Sequence, residues 1–189
     1  MLNRRSLLSR FVLPAALGSG LVVAGEASGR SSRREFVGVG SWFNTDQPLT
    51  MAKLRGNPVL VEFGTYTCIN WRRTLPYVKR WRSEYGLQGL QIVGIHTPEF
   101  SFERTRAYIE HELRELGVVF PMAQDNEFRT WNAFGNEAWP SFYLFDKEGQ
   151  LRLQRDGEGY SATIEDAIRA QLGLARGANP TSPIRPRVR

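Results

Sequence analysis

The chain has almost no cysteine: Cys68 is the single one among 189 residues. One thiol excludes a disulfide-stapled scaffold. It also excludes an internal dithiol site, in which a second cysteine resolves the mixed disulfide formed by the first. Any redox chemistry at Cys68 is therefore that of a lone thiol. The alternative is an inert buried cysteine, because free cysteine is among the most buried residue types.

Long hydrophobic runs and a large excess of one charge are also missing. No apolar run reaches the ~20 residues of a membrane-spanning helix, so we expect a mature form that does not span a membrane. Of the net charge of +6, residues 1–27 contribute +2 and the four arginines of residues 175–189 contribute +4. The body is near neutral, which disfavours nucleic acid as a partner. No cofactor is predicted.

Residues 1–27 have the pattern of an export signal. Arg4, Arg5 and Arg10 form a positive region, and residues 11–24 form an apolar stretch followed by small residues. The pair Arg4-Arg5 resembles a bacterial twin-arginine signal, which predicts a periplasmic or otherwise extracytoplasmic location. An ordinary secretory signal and an uncleaved anchor are the alternatives.

The rest of the chain is predicted to contain a linker, one domain and a tail. Residues 28–40 are predicted as the linker, 41–174 as the folded domain, and 175–189 as a disordered basic tail. Within the domain, short apolar runs predict strands at 59–63, 90–95, 118–120, 141–146 and 150–154, with an edge strand within 36–43.

Apolar residues three or four positions apart predict helices between these strands. The first follows Cys68 to about residue 85 and is expected to bend at Pro76, which lacks a backbone donor. A second helix is marked by Phe102, Ile109, Leu113 and Leu116, a small one by residues 127–134, and a last one by residues 164–172. Strands alternating with helices, followed by a hairpin, predict an α/β fold on a mixed sheet.

Three motifs carry a resemblance to a known family. They are Glu62-Phe63-Gly64-Thr65-Tyr66-Thr67-Cys68-Ile69-Asn70-Trp71, His96-Thr97-Pro98-Glu99-Phe100 and Trp139-Pro140. Over about residues 41–174 the chain resembles the DipZ-type branch of the thioredoxin-like (TlpA/redoxin) superfamily. The resemblance implies a thioredoxin-like fold, a mixed central sheet flanked by helices, with a helix-strand insertion after the second core strand. The chain departs from the family at Trp71, where a second cysteine is usual, and at Gly64, where tryptophan is usual.

Cys68 is the candidate nucleophile of this site. It lies where a strand gives way to a helix, so unpaired backbone N–H groups and the helix dipole are expected to favour its thiolate. Trp71 lies one helical turn later, in the position of the missing thiol. Its indole is predicted either to cover the sulfur at a substrate-binding surface or to fill core space.

Glu62, His96 and Glu99 are candidate catalytic residues beside Cys68. Glu62 lies six residues before Cys68 and resembles the buried carboxylate that serves thioredoxins as a proton acceptor. Burial would raise its pKa, and a partly hydrated strand-end carboxylate is the alternative. His96 and Glu99 follow the second strand at the sheet edge where Cys68 lies, so they are predicted as a proton-handling pair or as residues that stabilise a turn.

Thr65, Trp139 and Pro140 complete the candidate site as substrate-binding residues. Pro140 resembles the cis-proline of thioredoxin-like proteins, which would leave the Trp139 backbone free to pair with a bound peptide. A trans proline that starts the next strand is the alternative. Thr65 also fits part of a peroxiredoxin signature, although that signature has proline where this chain has Val61. Cys68 and His96 together are too few ligands to predict a metal site.

These features predict an exported thioredoxin-like protein that acts on thiols or disulfides of partner proteins. Cys68 would form a mixed disulfide, and an external thiol reductant would resolve it because the chain has no second cysteine. A redox-inactive peptide-binding module and a one-cysteine peroxidase are the alternative functions.

Overall fold

The computed structural model describes residues 34–176, which fold around a six-stranded mixed sheet. The strands are β1 (Trp42–Phe43), β2 (Val59–Gly64), β3 (Gln91–His96), β4 (Met122–Gln124), β5 (Ser141–Phe145) and β6 (Leu151–Asp156). Across the sheet they are ordered β1-β4-β3-β2-β5-β6. Strand β2 pairs in parallel with β3 and antiparallel with β5, while β1 and β6 are the edges.

Four α-helices cover the two faces of this sheet. They are α1 (Ile69–Tyr85), α2 (Arg106–Glu115), α3 (Arg129–Phe134) and α4 (Ser161–Gln171), and short 3₁₀ turns occupy Gly86–Gln88 and Ser101–Arg104. Apolar residues of α1, α2 and α4 form one core with the sheet, and α3 forms a second core on the other face. Strand β2 is buried along its whole length because it contributes to both cores.

The predicted fold is confirmed, but two details of the predicted secondary structure were wrong. The strand predicted at 118–120 lies later, at Met122–Gln124. Val118 instead lies just beyond α2 and caps its C-terminus, since its N–H donates to the Leu113 carbonyl after Gly117 has turned the chain at φ 63°. Phe102 does not belong to a core-facing helix: it lies in a 3₁₀ turn and is 52% exposed.

Helix α1 positions the candidate site because it begins directly after Cys68. It continues through Pro76 to Tyr85 as one helix, and the predicted bend remains a prediction. Its buried side chains, every third or fourth residue, anchor it on the sheet: Trp71, Thr74, Leu75, Val78, Trp81 and Tyr85.

The folded domain begins before residue 41. Phe36 is buried, and the Thr130 hydroxyl both accepts a hydrogen bond from the Val37 N–H and donates one to the Val37 carbonyl, at 3.0 and 2.8 Å. Residues 34–40 therefore pack on the domain rather than belonging to the predicted linker. The predicted export signal and tail residues 177–189 lie outside the described residues. Among residues 34–176, no helix is both long and apolar enough to cross a bilayer.

Candidate functional site

The sulfur of Cys68 lies at the start of α1 and faces a loop from another part of the chain. Cys68 is the N-cap residue of the helix, with extended backbone angles, and it is partly exposed. Its N–H donates to the Thr65 carbonyl at 3.1 Å, which closes a turn between β2 and α1. Its Sγ donates to the carbonyl oxygen of Trp139 at 3.8 Å. The thiol therefore combines access from solvent with a defined position.

The facing loop contains the cis peptide bond Trp139-Pro140. The Trp139 indole N–H donates to the Thr97 carbonyl at 3.0 Å, and its ring packs on Trp131 with centroids 4.4 Å apart. The Pro140 carbonyl accepts a hydrogen bond from the Gly157 N–H at 2.7 Å. Both residues are thus held in place on the loop that faces Cys68, and their substrate-binding role remains a prediction.

The Trp71 side chain fills core space, so its predicted substrate-binding role was wrong. Its indole has no exposed surface. It packs directly on the backbone of Gly64: a Cβ added to Gly64 would lie 2.1 Å from Cδ1 and Nε1 of Trp71. The two departures from the family pattern are therefore in contact, since an indole at position 71 requires a residue without a side chain at position 64.

Glu62 is completely buried on strand β2. Neither carboxyl oxygen has a hydrogen-bond partner among the described residues. Burial raises the pKa of Glu62 to about 8, while a weaker interaction with the Trp71 side chain acts in the opposite direction. The carboxyl group is therefore protonated at neutral pH, the state required of a group that releases a proton when a neighbouring charge changes.

His96 and Thr65 form a buried pair beneath the Cys68 loop. His96 Nε2 lies 3.3 Å from Thr65 Oγ1, and the imidazole stacks on Tyr66 with ring centroids 5.5 Å apart. Burial lowers the pKa of His96 to about 4, so the ring is neutral at pH 7. The predicted substrate-binding role of Thr65 was wrong because its side chain is fully buried. Its contact with His96 also disfavours the peroxide-orienting role.

Glu99 is not part of a pair with His96. Its side chain is exposed and makes no described hydrogen bond or ion pair, so the sequence prediction chose the wrong carboxylate. The buried carboxylate of this loop is Glu103, which accepts hydrogen bonds from Thr67, Glu99 and Phe100. The sequence carries no capping signature for Glu103, because the residue three positions earlier is Phe100 and not Ser, Thr, Asp or Asn.

A groove of about 660 Å³ begins at Ile69, the residue after Cys68, and runs between α1 and the loop that precedes α4. Ile69 and Tyr160 are 58% and 43% exposed along it, and Arg73 and Glu158 pair across it at 3.1 Å. The groove thus offers apolar surface next to the thiol. Within residues 34–176, no three histidine, cysteine or acidic side chains are grouped in a way that would hold a metal ion.

Comparison with known proteins places the chain among thioredoxin-like proteins of the TlpA/redoxin branch. It is 37% identical over 141 residues to Protein DipZ of Mycobacterium tuberculosis (strain CDC 1551 / Oshkosh), matching 74% of this chain and 20% of DipZ. It is 31% identical over 132 residues to the thiol-disulfide oxidoreductase YkuV of Bacillus subtilis (strain 168), matching 69% of this chain and 87% of YkuV. The chain therefore spans about a fifth of DipZ but most of YkuV.

Solved structures show the same similarity. A crystal structure of a thioredoxin-like superfamily protein matches with a TM-score of 0.69 and 26% identity, over 77% of this chain and 98% of that protein. A solution structure of a thioredoxin-like protein in its oxidised form matches with a TM-score of 0.66 and 26% identity, over 76% and 97% of the two chains. No protein-family model matches the sequence.

Proposed function

Because the chain belongs to the TlpA/redoxin branch of the thioredoxin-like superfamily, whose members include thiol-disulfide oxidoreductases, we propose that it exchanges disulfides with partner proteins through Cys68 alone. The position of the sulfur supports this proposal most directly. It is partly exposed at the start of α1 and lies 3.8 Å from the Trp139 carbonyl. The position of the usual second thiol is occupied by the buried Trp71.

The reaction begins when the Cys68 thiolate attacks one sulfur of a partner disulfide. A new S–S bond forms between Cys68 and that sulfur, the partner S–S bond breaks, and the second partner sulfur leaves as a thiolate that takes up a proton. An external thiol then attacks Cys68 Sγ and releases the partner as a dithiol. A second external thiol frees Cys68 and forms the disulfide of the external thiol, which accounts for both electrons.

Partner proteins would approach across the loop of Trp139-Pro140 and the groove that begins at Ile69. The anchored Trp139 backbone offers a fixed edge to an extended polypeptide, and the exposed Ile69 and Tyr160 offer apolar contact. The environment of Glu62 supports a role in proton exchange, because a neutral buried carboxyl group holds a proton near the reacting thiol loop.

The test is formation of a mixed disulfide between the purified protein and a synthetic peptide that contains one intramolecular disulfide. Wild type is expected to form a 1:1 adduct, visible by mass spectrometry and released by dithiothreitol, whereas Cys68→Ser forms none. Insulin reduction is expected to be much slower than with a dithiol thioredoxin, because each turnover needs two external thiols.

Two other results would support the alternative functions. Equal binding of the peptide by wild type and Cys68→Ser, unaffected by dithiothreitol, would show a redox-inactive binding module. Rapid reductant-dependent consumption of hydrogen peroxide, lost in Cys68→Ser and accompanied by no peptide adduct, would show a peroxidase.

We also propose that the protein is exported and acts in an oxidising compartment. The arginine-rich start and apolar stretch of residues 1–27 support this location. A lone thiol in such a compartment meets partner disulfides more often than in the cytosol.

A further inference from the structure

Glu103 joins the loop that carries Cys68 to the loop that follows β3. We propose that Glu103 is a positioning residue, which holds Thr67 and through it sets the place of the Cys68 sulfur. This role rests on the proposed function of Cys68, since it concerns the same reaction.

The contacts of Glu103 reach two separate segments of chain. Its Oε1 accepts hydrogen bonds from the Thr67 hydroxyl and, at 3.4 Å, from the Thr67 N–H. Its Oε2 accepts hydrogen bonds from the Glu99 and Phe100 N–H groups at 2.6 and 2.9 Å. One carboxylate thus fastens the Cys68 loop to the loop after β3.

The charge of Glu103 is suited to this task. Its side chain is fully buried. Burial raises the pKa of Glu103. Hydrogen bonds lower it by more, and they come from the Thr65 and Thr67 hydroxyls and the Phe100 and Glu99 N–H groups. The pKa of Glu103 therefore lies below its ordinary value. The group is an anion at neutral pH, and hydrogen bonds to an anion are stronger than neutral ones. A neutral amide would offer one oxygen to these donors instead of two.

The side chain of Thr67 has no hydrogen bond other than the one to Glu103 among the described residues. The residue is exposed. Thr67 precedes Cys68 directly, so movement of Thr67 displaces the peptide that carries the sulfur. The remaining anchors of Cys68 are its N–H bond to Thr65 and the contact of its sulfur with Trp139. Loss of the Glu103 anchor would therefore leave the sulfur less well oriented.

The test compares Glu103→Gln, Thr67→Val and Thr67→Ser with two controls. Glu115→Gln removes an exposed carboxylate, and Thr105→Val changes an exposed threonine whose side chain makes no described hydrogen bond. The readout is the rate at which Cys68 reacts with 4,4′-dithiodipyridine, a small disulfide that reports on any accessible thiol. Its rate is informative even if no peptide adduct forms, so failure of the proposed function and failure of the Glu103 proposal are distinguishable.

Glu103→Gln and Thr67→Val are each expected to slow this reaction about fivefold or more, because misplacement of a reacting group carries a large cost in rate. Thr67→Ser should react at the wild-type rate, because serine keeps the hydroxyl. The double variant Glu103→Gln/Thr67→Val should be no slower than either single variant. Both controls should react like wild type.

Wild-type rates for both single variants, or equal slowing by Thr67→Ser and Thr67→Val, would overturn the proposal. Additive losses in the double variant would also overturn it, because two residues that act through one contact are not additive. Circular dichroism at the assay temperature confirms that each variant is folded. If Glu103→Gln does not fold, the exposed Thr67 variants still decide the matter.

Discussion

Replacing Glu62 with glutamine is expected to stabilise the protein at alkaline pH and to leave its stability nearly unchanged at pH 5. The buried carboxyl group has a pKa of about 8 in the folded state, against an ordinary value of 4.5. Between these values the folded protein holds a proton that the unfolded chain has released. The stability of wild type therefore falls as pH rises through this range.

The size of the effect follows from the same two values. The free energy of unfolding is expected to fall by about 1.4 kcal/mol per pH unit, or up to roughly 5 kcal/mol over the whole interval. Glutamine does not titrate, so the gap between Glu62→Gln and wild type should widen by this amount from pH 4.5 to pH 8. Other titrating groups contribute equally to both proteins and cancel in the difference.

The contribution of His96 to the free energy of unfolding changes with pH in the opposite direction to that of Glu62. Burial lowers its pKa from 6.5 to about 4, so its contribution is fully present above pH 6.5 and is lost as pH falls toward 4. In wild type the two slopes should cancel between pH 4.5 and 6.5, and a decline should follow between pH 6.5 and 8. Of these two slopes only that of His96 remains in Glu62→Gln, so the stability of the variant should rise relative to that of wild type as pH increases to 6.5.

The assay is reversible urea unfolding at each pH from 5 to 9, followed by tryptophan fluorescence. Glu115→Gln serves as the control for loss of an exposed carboxylate. A gap between Glu62→Gln and wild type that stays constant across this range would refute the reasoning, because it would mean that Glu62 is hydrated and ionises normally in the folded protein.

Two further predictions concern the packing of position 64 and the export signal. Gly64→Ala is expected to lower the free energy of unfolding by about 1–3 kcal/mol, because the new Cβ overlaps the Trp71 indole. Trp71→Cys alone is expected to cost about 3–5 kcal/mol through the cavity it leaves. In that background Gly64→Ala should be nearly neutral, because the indole it would overlap is gone. Losses of unfolding free energy that add in the double variant would show that positions 64 and 71 are not in contact. Replacing both Arg4 and Arg5 with lysine should retain the protein in the cytoplasm on cell fractionation, whereas continued export would indicate an ordinary secretory signal.

Much of the fold was predictable because the core strands carry local signals. The apolar run of β2 and the three-to-four-residue spacing of α1 are visible in the sequence and survive in the structure. The prediction of a strand at 118–120 was wrong because its alternating pattern is not specific to strands. Val118 and Phe120 are buried and Val119 is 69% exposed, but an irregular segment can produce the same alternation.

The site was less predictable because its geometry depends on contacts between distant segments. Glu103 was missed because its importance comes from a bond to Thr67, 36 residues away in sequence. Glu99 was chosen because it lies closer to His96 along the chain, but its side chain is exposed. The buried position of Thr65 likewise depends on its contact with His96 on the neighbouring strand.

The contact between Gly64 and Trp71 also constrains how this sequence can evolve. Acquiring a second cysteine at position 71 first would open a cavity, and acquiring a bulky residue at position 64 first would force an overlap with the indole. Either single step passes through a less stable protein, so the two-cysteine pattern is separated from this arrangement by a stability barrier. A change from one arrangement to the other would require substitutions at both positions together.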